Sequence, residues 1–344
     1  MNVQLATPSL SLRGTFSFYV SGSDAERIRT CAEGADAIVV AGSRGPATVR
    51  LLRIEGWTGT VLFDRVGYRD SNTSVDLPRW IADQEGAGAD RILTPGRWVG
   101  SEGGHATLRS QIESEVKIAE RYAATCLLAL DYRWLAKSSH HHELLNVFQE
   151  LETPVAIVLG DRSDPLGHPG AVDALVALTK RVEGISLLRT DHGAIGALAF
   201  DAAHASIGLT TTHRHVVPPT VQAHGIPNDR SARVFVKDLM DWFTASTIGG
   251  WSTTRVTPVC NYSCCEGQRI ERFLDDRLKS DADRHNRTVL AAIVNEILDL
   301  PESGDRRRAF GRMCFDAVER YGMMGGLTTE ISPKPQLCQW AQYY

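Results

Sequence analysis

From about residue 15 to residue 218 the chain repeats one unit: a short run rich in Val, Ile, Leu or Phe, a polar turn, then a stretch with helical spacing. Eight runs recur: Phe16 to Val20, Ala35 to Ala41, Thr60 to Phe63, Arg91 to Thr94, Cys126 to Leu130, Val155 to Leu159, Ile185 to Leu188 and Ala205 to Leu209. Near-continuous apolar runs suit strands covered on both faces, and the intervals leave room for a helix in each crossover. The pattern therefore predicts parallel strands joined by helices. Eight such units predict an α/β fold, a (β/α)8 TIM-like barrel over residues 15–218, ahead of an open doubly wound sheet. The clearest helix is Ala106 to Tyr122, where Leu108, Ile112, Val116, Ile118 and Ala119 form an apolar stripe. The intervals 41–60 and 64–91 are weakest, because Gly, Asp, Ser and Thr dilute the helical period.

Pro218 and Pro219, followed by Gly-Ile-Pro-Asn-Asp-Arg-Ser from Gly225, end the repeat. The region 219–344 reads as a carboxy-terminal appendage, with strands expected at Val234 to Val236 and Trp251 to Val256 and a helix from Arg287 to Leu298.

Composition narrows the classes. The 344 residues are 43% hydrophobic and 23% charged, a balance that excludes a disordered chain. A net charge of −4 gives no strong overall positive field, so contact with nucleic acid must be local. No apolar run approaches the ~18 residues needed to cross a bilayer, and the amino terminus lacks a basic flank before an apolar block; a cytoplasmic protein with no membrane partner is expected. No G-x-G-x-x-G or G-x-x-x-x-G-K-S/T follows an early strand, which argues against dinucleotide and P-loop enzymes. The seven cysteines are an odd number in a chain too large to need disulfide stapling and read as thiols.

Three of them fall together, in Cys260-Asn-Tyr-Ser-Cys264-Cys265-Glu-Gly, and His285-Asn286 follows after helical sequence. Thiolates and a neutral imidazole suit zinc, and a short loop plus one residue at the start of a later helix can supply a tetrahedral shell. Cys260, Cys265 and His285 are the strongest candidates, with Cys264 as a fourth if adjacent cysteines can both turn inward at a bend. A closed protein shell would make the zinc structural; the alternative is no metal, with ordinary loop thiols and a His285 that begins a helix without touching an ion.

This passage resembles the carboxy-terminal zinc site of the tRNA-guanine transglycosylases and their DNA-modifying relatives, where C-x-C-x-x-C precedes a His-Asn pair. Cys260 matches the first ligand, Tyr262 stands at the second, Cys265 is the third, and His285-Asn286 supplies the fourth and its neighbour. Thr60-Val-Leu-Phe-Asp64-Arg-Val-Gly67-Tyr68 is similar to the family's strand end and loop that carry an aspartate before Gly-Gly-Phe. The resemblance implies that Asp64 handles the base being exchanged. Near the last strand the family has a nucleophilic Asp followed by Pro-Thr-Arg; the matching stretch here, Ile207 to Arg214, puts Gly208 in that position. Glycine cannot form a glycosyl-enzyme bond. The resemblance also implies a homodimer, and in the non-catalytic alternative the partner is a heteromeric homologue.

Polar residues just after the apolar runs face the end of such a sheet where substrates bind. They are Asp64, Arg97, Asp131, Arg133, Asp161, Arg189, Asp191, His192, His213 and Arg214. Carboxylates there can handle protons or developing positive charge, and arginines can hold anionic groups. Arg189 and Asp191 share a face if their strand persists, where they either bind substrate or close the strand end with a salt bridge. Asp191 is the replacement nucleophile if a covalent route is kept, and either His213 or His215 can enter the mouth. Adjacent His140, His141 and His142 point in different directions on a helix and cannot all chelate one ion. Arginines from Arg269 to Arg287 and from Arg306 to Arg308 can contact phosphates, although intervening acidic residues also suit a solvated, salt-bridged face. The expected function is exchange or recognition of a guanine or 7-deazaguanine base in nucleic acid or a nucleoside. The alternatives are N-glycoside hydrolysis and a non-catalytic nucleic-acid-binding or partner subunit.

Overall fold

The computed structural model describes residues 14–69, 75–102, 105–219, 221, 229, 231–251, 258–325 and 331–344. Eight strands are β1 Thr15–Ser21, β2 Ala37–Ala41, β3 Val61–Asp64, β4 Arg97–Val99, β5 Cys126–Asp131, β6 Val155–Gly160, β7 Ser186–Thr190 and β8 His204–Gly208. They form one sheet in the order β3-β2-β1-β8-β7-β6-β5-β4, and every pairing is parallel. The first strand lies beside the last, as a sheet that curls on itself requires. Helices between the strands are α1 Ala25–Cys31, α2 Gly45–Ile54, α3 Leu77–Gly86, α4 His105–Tyr122, α5 Arg133–Ala136, α6 Ser138–Gln149, α7 Ala171–Arg181 and α8 Gly193–Ala199. The weak intervals do form helices. Each has proline in its first turn, and the Asp76 carboxylate caps α3 by accepting from the Arg79 N–H at 3.2 Å.

Alternate residues along the strands divide the core in two. Tyr19, Val39, Leu62, Leu127, Val158 and Leu188 meet inside the curl, while Phe18, Ile38, Phe63, Leu128, Ile157 and Leu187 pack outward against the helices. Strands from both edges share the inner cluster, which makes the sheet a curled half-barrel rather than a flat layer. No ladder joins β3 to β4 among the described residues. Instead the Asp90 N–H donates to the Val61 carbonyl at 2.9 Å and the Gly67 N–H to the Pro95 carbonyl at 3.1 Å.

The expected strand at Arg91 to Thr94 is corrected to Arg97–Val99. The earlier run makes one parallel bridge, Leu93 to Thr125, through the Thr94 N–H to the Thr125 carbonyl at 3.0 Å and the Thr125 N–H to the Ile92 carbonyl at 2.8 Å, while the Gln84 amide takes the Leu93 N–H and carbonyl at 3.0 and 2.9 Å. Pro95 has no N–H to pair, and Gly96 has φ +87°, so pairing resumes only beyond them.

The carboxy-terminal part adds β9 Arg233–Val236, β10 Asp241–Thr244, α9 Ala245–Trp251, β11 Val259–Cys260, β12 Gln268–Arg269, α10 Lys279–Leu298, α11 Ser303–Gly325 and α12 Pro335–Ala341. Trp251 closes a helix instead of opening a strand, and the rest of that expected strand lies outside the described residues. The helix expected from Arg287 begins at Lys279. This part packs on the sheet's own helices: Trp340 sits 5.7 Å from Phe200 and 5.4 Å from Phe310 between ring centroids, and Arg27 pairs with Asp283 at 2.6 Å. Among the described residues no helix is long and apolar enough to cross a membrane.

Candidate functional site

The cysteine loop is a two-strand knuckle. β11 pairs antiparallel with β12, and the Gly267 N–H donates to the Cys260 carbonyl at 2.9 Å. Between them the Cys265 and Glu266 N–H groups both donate to the Tyr262 carbonyl at 2.9 Å, and Glu266 and Gly267 take φ of +50° and +81°. That tight turn lets neighbouring cysteines aim inward together. The Cys260 and Cys264 sulfurs are 3.8 Å apart, those of Cys264 and Cys265 3.7 Å, and His285 Nδ1 lies 3.8 Å from Cys264 and 3.3 Å from Cys265. All four ligand atoms fall within 4.8 Å of one another, a set that can hold a metal ion.

His285 lies inside α10 rather than at its start. Its Nε2 donates to the Phe235 carbonyl at 2.9 Å, which turns Nδ1 toward the sulfurs. The adjacent Asn286 accepts from the Phe235 N–H and donates to the Arg233 carbonyl, both at 2.7 Å, stapling α10 to β9. Tyr262 takes no part in the cluster, since its hydroxyl meets Lys237 Nζ at 2.6 Å. Cys264, and not Tyr262, joins Cys260, Cys265 and His285 in the cluster. Burial opposes thiolate at Cys265, but His285 and Arg272, whose Nη2 is 3.3 Å from the sulfur, draw it down to about 6. Burial likewise opposes charge on His285, and the three thiols outweigh it.

The residues expected at the strand ends divide into three groups. Asp64 is wholly buried, with Oδ2 accepting from Tyr19 at 2.6 Å and Tyr68 at 2.7 Å and Oδ1 from the Val66 N–H at 2.7 Å. Arg189 backs this cluster, donating to Tyr68 Oη at 3.0 Å and the Thr212 carbonyl at 2.7 Å. A bulge in β7 and φ +54° at Arg189 aim its side chain inside the curl. Arg189 and Asp191 therefore do not share a face, correcting that expectation. His213 packs edge-on to Tyr19 at 5.4 Å and is pulled down to about 4 by burial and by Arg189.

Asp191 belongs to a second group, with partners wholly different from those of Asp64. Its Oδ1 accepts from the Gly193 N–H at 3.0 Å and its Oδ2 from Gln336 Nε2 at 2.8 Å, and the same amide reaches Asp164. Lys334 meets Asp241 at 2.5 Å close by. His192 is buried, with neither ring nitrogen hydrogen-bonded among the described residues. Arg214 stacks 3.5 Å above Trp242 and donates to the Gly208 carbonyl at 3.2 Å. At Gly208 itself a Cβ would lie 1.9 Å from the His213 carbonyl oxygen.

The third group is partly open to solvent. Asp131 ends β5 opposite Gly160, and Asp161 follows on the neighbouring strand. The Asp131 carboxyl accepts from the Arg133 N–H at 2.9 Å and is raised by burial and by Asp161. Burial would raise Asp161 too, but His168 Nε2 and Ser163 Oγ, each 2.8 Å from its Oδ2, and the Arg162 N–H at 2.7 Å hold it down. The His168 ring stacks on Tyr132 at 3.8 Å and 16°. Trp98 lies against Gly160, where a Cβ would stand 2.3 Å from its ring. Arg97 turns away to Ser114 at 3.0 Å.

Strand-end position found the acids and arginines but missed Tyr19, Trp98, Tyr132, His168, Lys334 and Gln336. Tyr19 hides in an apolar run, and the tail residues come from far along the chain. His168 had a signal, since it lies seven residues after Asp161 in a loop closed by Asp164-Pro165. No protein-family model matches the chain, and no curated protein matches it.

Proposed function

We propose that this protein is a divergent member of the transglycosylase-like barrels that recognises a guanine or 7-deazaguanine base, in nucleic acid or a nucleoside, without exchanging it through a covalent intermediate at position 208. The curled sheet is read as a (β/α)8 barrel whose β3–β4 seam is held by the Asp90–Val61 and Gly67–Pro95 hydrogen bonds in place of a ladder. The observation that carries the reading is at Gly208: the position has no nucleophile, and the His213 carbonyl fills the space one would need. Asp64, saturated by two phenols and an N–H, anchors the barrel interior in this reading. Base recognition falls to the half-exposed rings of Trp98, Tyr132 and His168, which offer flat surfaces to a purine, with Asp131 and Arg133 at its polar edge.

The Cys260–Cys264–Cys265–His285 set fits structural zinc. Bonds of about 2.3 Å to sulfur and about 2.0 Å to nitrogen in a tetrahedron put sulfurs about 3.8 Å apart and sulfur and nitrogen about 3.5 Å apart. Four of the six separations, at 3.7 to 3.8 Å and 3.3 to 3.8 Å, fall close to these, and all six lie within 4.8 Å. Four protein ligands leave no open position, so the ion supplies cross-linking of the knuckle to α10 and no chemistry.

The test incubates the purified protein with guanosine, 2′-deoxyguanosine, their 7-deaza analogues and guanine-containing single-stranded DNA and RNA, with labelled guanine present. Saturable quenching of tryptophan fluorescence without labelled base entering the nucleoside or strand is expected. Incorporation of label, or a trapped glycosyl-protein adduct, overturns it, as does the absence of binding to every probe.

A further inference from the structure

Asp131 ends β5 opposite Gly160, Asp161 follows Gly160 on the neighbouring strand, and His168 is hydrogen-bonded to Asp161, an arrangement that base recognition alone does not require. Asp161 accepts three hydrogen bonds, from His168, Ser163 and the Arg162 N–H, and is fixed on every side. An ionised carboxylate only accepts, so His168 must donate its Nε2–H to Asp161, and neutral His168 then carries its lone pair on Nδ1. Among the described residues Nδ1 has no hydrogen-bond partner, and the side chain is 31% exposed. Stacking on Tyr132 from one side, and hydrogen bonds from Gln339 and Ala171 to the His168 carbonyl, each at 3.1 Å, hold the imidazole still. An imidazole oriented by a buried carboxylate, with its other nitrogen bare to solvent, is the arrangement that takes a proton from water.

We propose that His168, positioned by Asp161 and paired with Asp131, is a water-activating site that hydrolyses the N-glycosidic bond of the bound nucleoside or nucleotide unit. This rests on the base-recognition reading above and adds a reaction to it. In the step, His168 Nδ1 removes a proton from water as the water oxygen bonds to C1′. The C1′–N bond breaks with its electron pair staying on the base, and the Asp131 carboxyl gives that base its proton. The products are a free base and a sugar bearing hydroxyl at C1′. His168 then returns its proton to solvent and Asp131 regains one, so the site is restored without a co-reactant. Burial, with a smaller push from Asp161, outweighs the Arg133 N–H and its guanidinium 3.8 Å from Oδ2 and raises Asp131 above a free carboxyl, as a proton donor needs, while the hydrogen bonds to Asp161 hold that carboxyl down. No nucleophile at position 208 is called for.

The full-length protein would be given the same nucleosides and oligonucleotides in water enriched in oxygen-18, with release of base followed by chromatography. Free base, with the label on the sugar and none on the base, is expected. His168→Gln and Asp131→Asn should each slow release by ~100-fold or more from the saturated complex, measured at probe concentrations where fluorescence quenching has reached its plateau for that variant. Asp161→Asn tests positioning: its amide oxygen can still accept from His168 Nε2, so it should slow release less than Asp161→Ala, which removes the acceptor, and this rescue by the conservative variant is the outcome a merely structural role would not give. His168→Asn, with thermal melts of every variant, guards against a fold defect. Probes that bind but release no base overturn the proposal and leave the recognition reading standing; probes that do not bind overturn both. Undiminished release by folded His168→Gln also overturns it.

Discussion

Asp64 and Gly208 sit at the ends of β3 and β8, and their neighbours set what each can do. Removing the Asp64 side chain leaves the buried hydroxyls of Tyr19 and Tyr68 without their acceptor and Arg189 without its nearest anion. Losses of that kind cost about 3 kcal/mol, so Asp64→Ala should lower the unfolding free energy read from urea titration by about that amount, and an unchanged midpoint would mean the network is dispensable. Gly208→Asp is expected to lose about 3 kcal/mol as well, since its Cβ would meet the His213 carbonyl at 1.9 Å, and to gain no exchange activity. A stable Gly208→Asp protein that incorporates labelled guanine would show instead that the loop after β8 moves aside. Asp64 could be picked from sequence because it ends an apolar run. The direction of Arg189 could not, because it depends on a bulge and a positive φ that no periodicity announces.

Among the elements, the alternation of apolar runs and helical stretches marked seven of the eight sheet strands within two residues or so. The eighth was displaced because Pro95 and Gly96 interrupt its ladder with β5 after the single bridge from Leu93 to Thr125. The knuckle was legible for a different reason, since cysteines and a distant histidine are rare enough to stand out without any periodicity. Which side chain completes the cluster was not legible: it follows from backbone torsions at Glu266 and Gly267 that bring Cys264 inward and leave Tyr262 with Lys237. Metal analysis should therefore find one zinc per chain, lost in Cys264→Ser and Cys265→Ser and retained in Tyr262→Phe. A ligand present at a thousand times its dissociation constant stabilises a fold by about 4 kcal/mol, so chelation should lower the melting temperature by several degrees. Full zinc occupancy in Cys264→Ser would remove that residue from the shell.

Across the whole molecule, the curl of the sheet and the packing of the carboxy-terminal part bury histidines that must stay neutral. His204 is 1% exposed beside Ser17, with Nε2 2.5 Å from its hydroxyl, and burial pulls it down to about 3. Burial also lowers His141, His192, His213 and His215. The unfolded chain takes up these protons near pH 6.5 and the folded chain does not, so stability is complete above that value and falls as pH drops toward the folded values. Each histidine that remains neutral in the fold contributes a slope of about 1.4 kcal/mol per pH unit below pH 6.5. Carboxylates that accept several hydrogen bonds, such as Asp161, add to the loss only at lower pH, where unfolded aspartate begins to protonate near 3.9. Urea unfolding at pH 7.5, 6.5 and 5.5 should thus show a steep decline over the last unit. His204→Gln, which can still hydrogen-bond Ser17 but does not titrate, should flatten the decline by about one proton's share. An equal slope in that variant would mean His204 is charged in the folded protein, which would require an anion beside it where the structure has a serine hydroxyl.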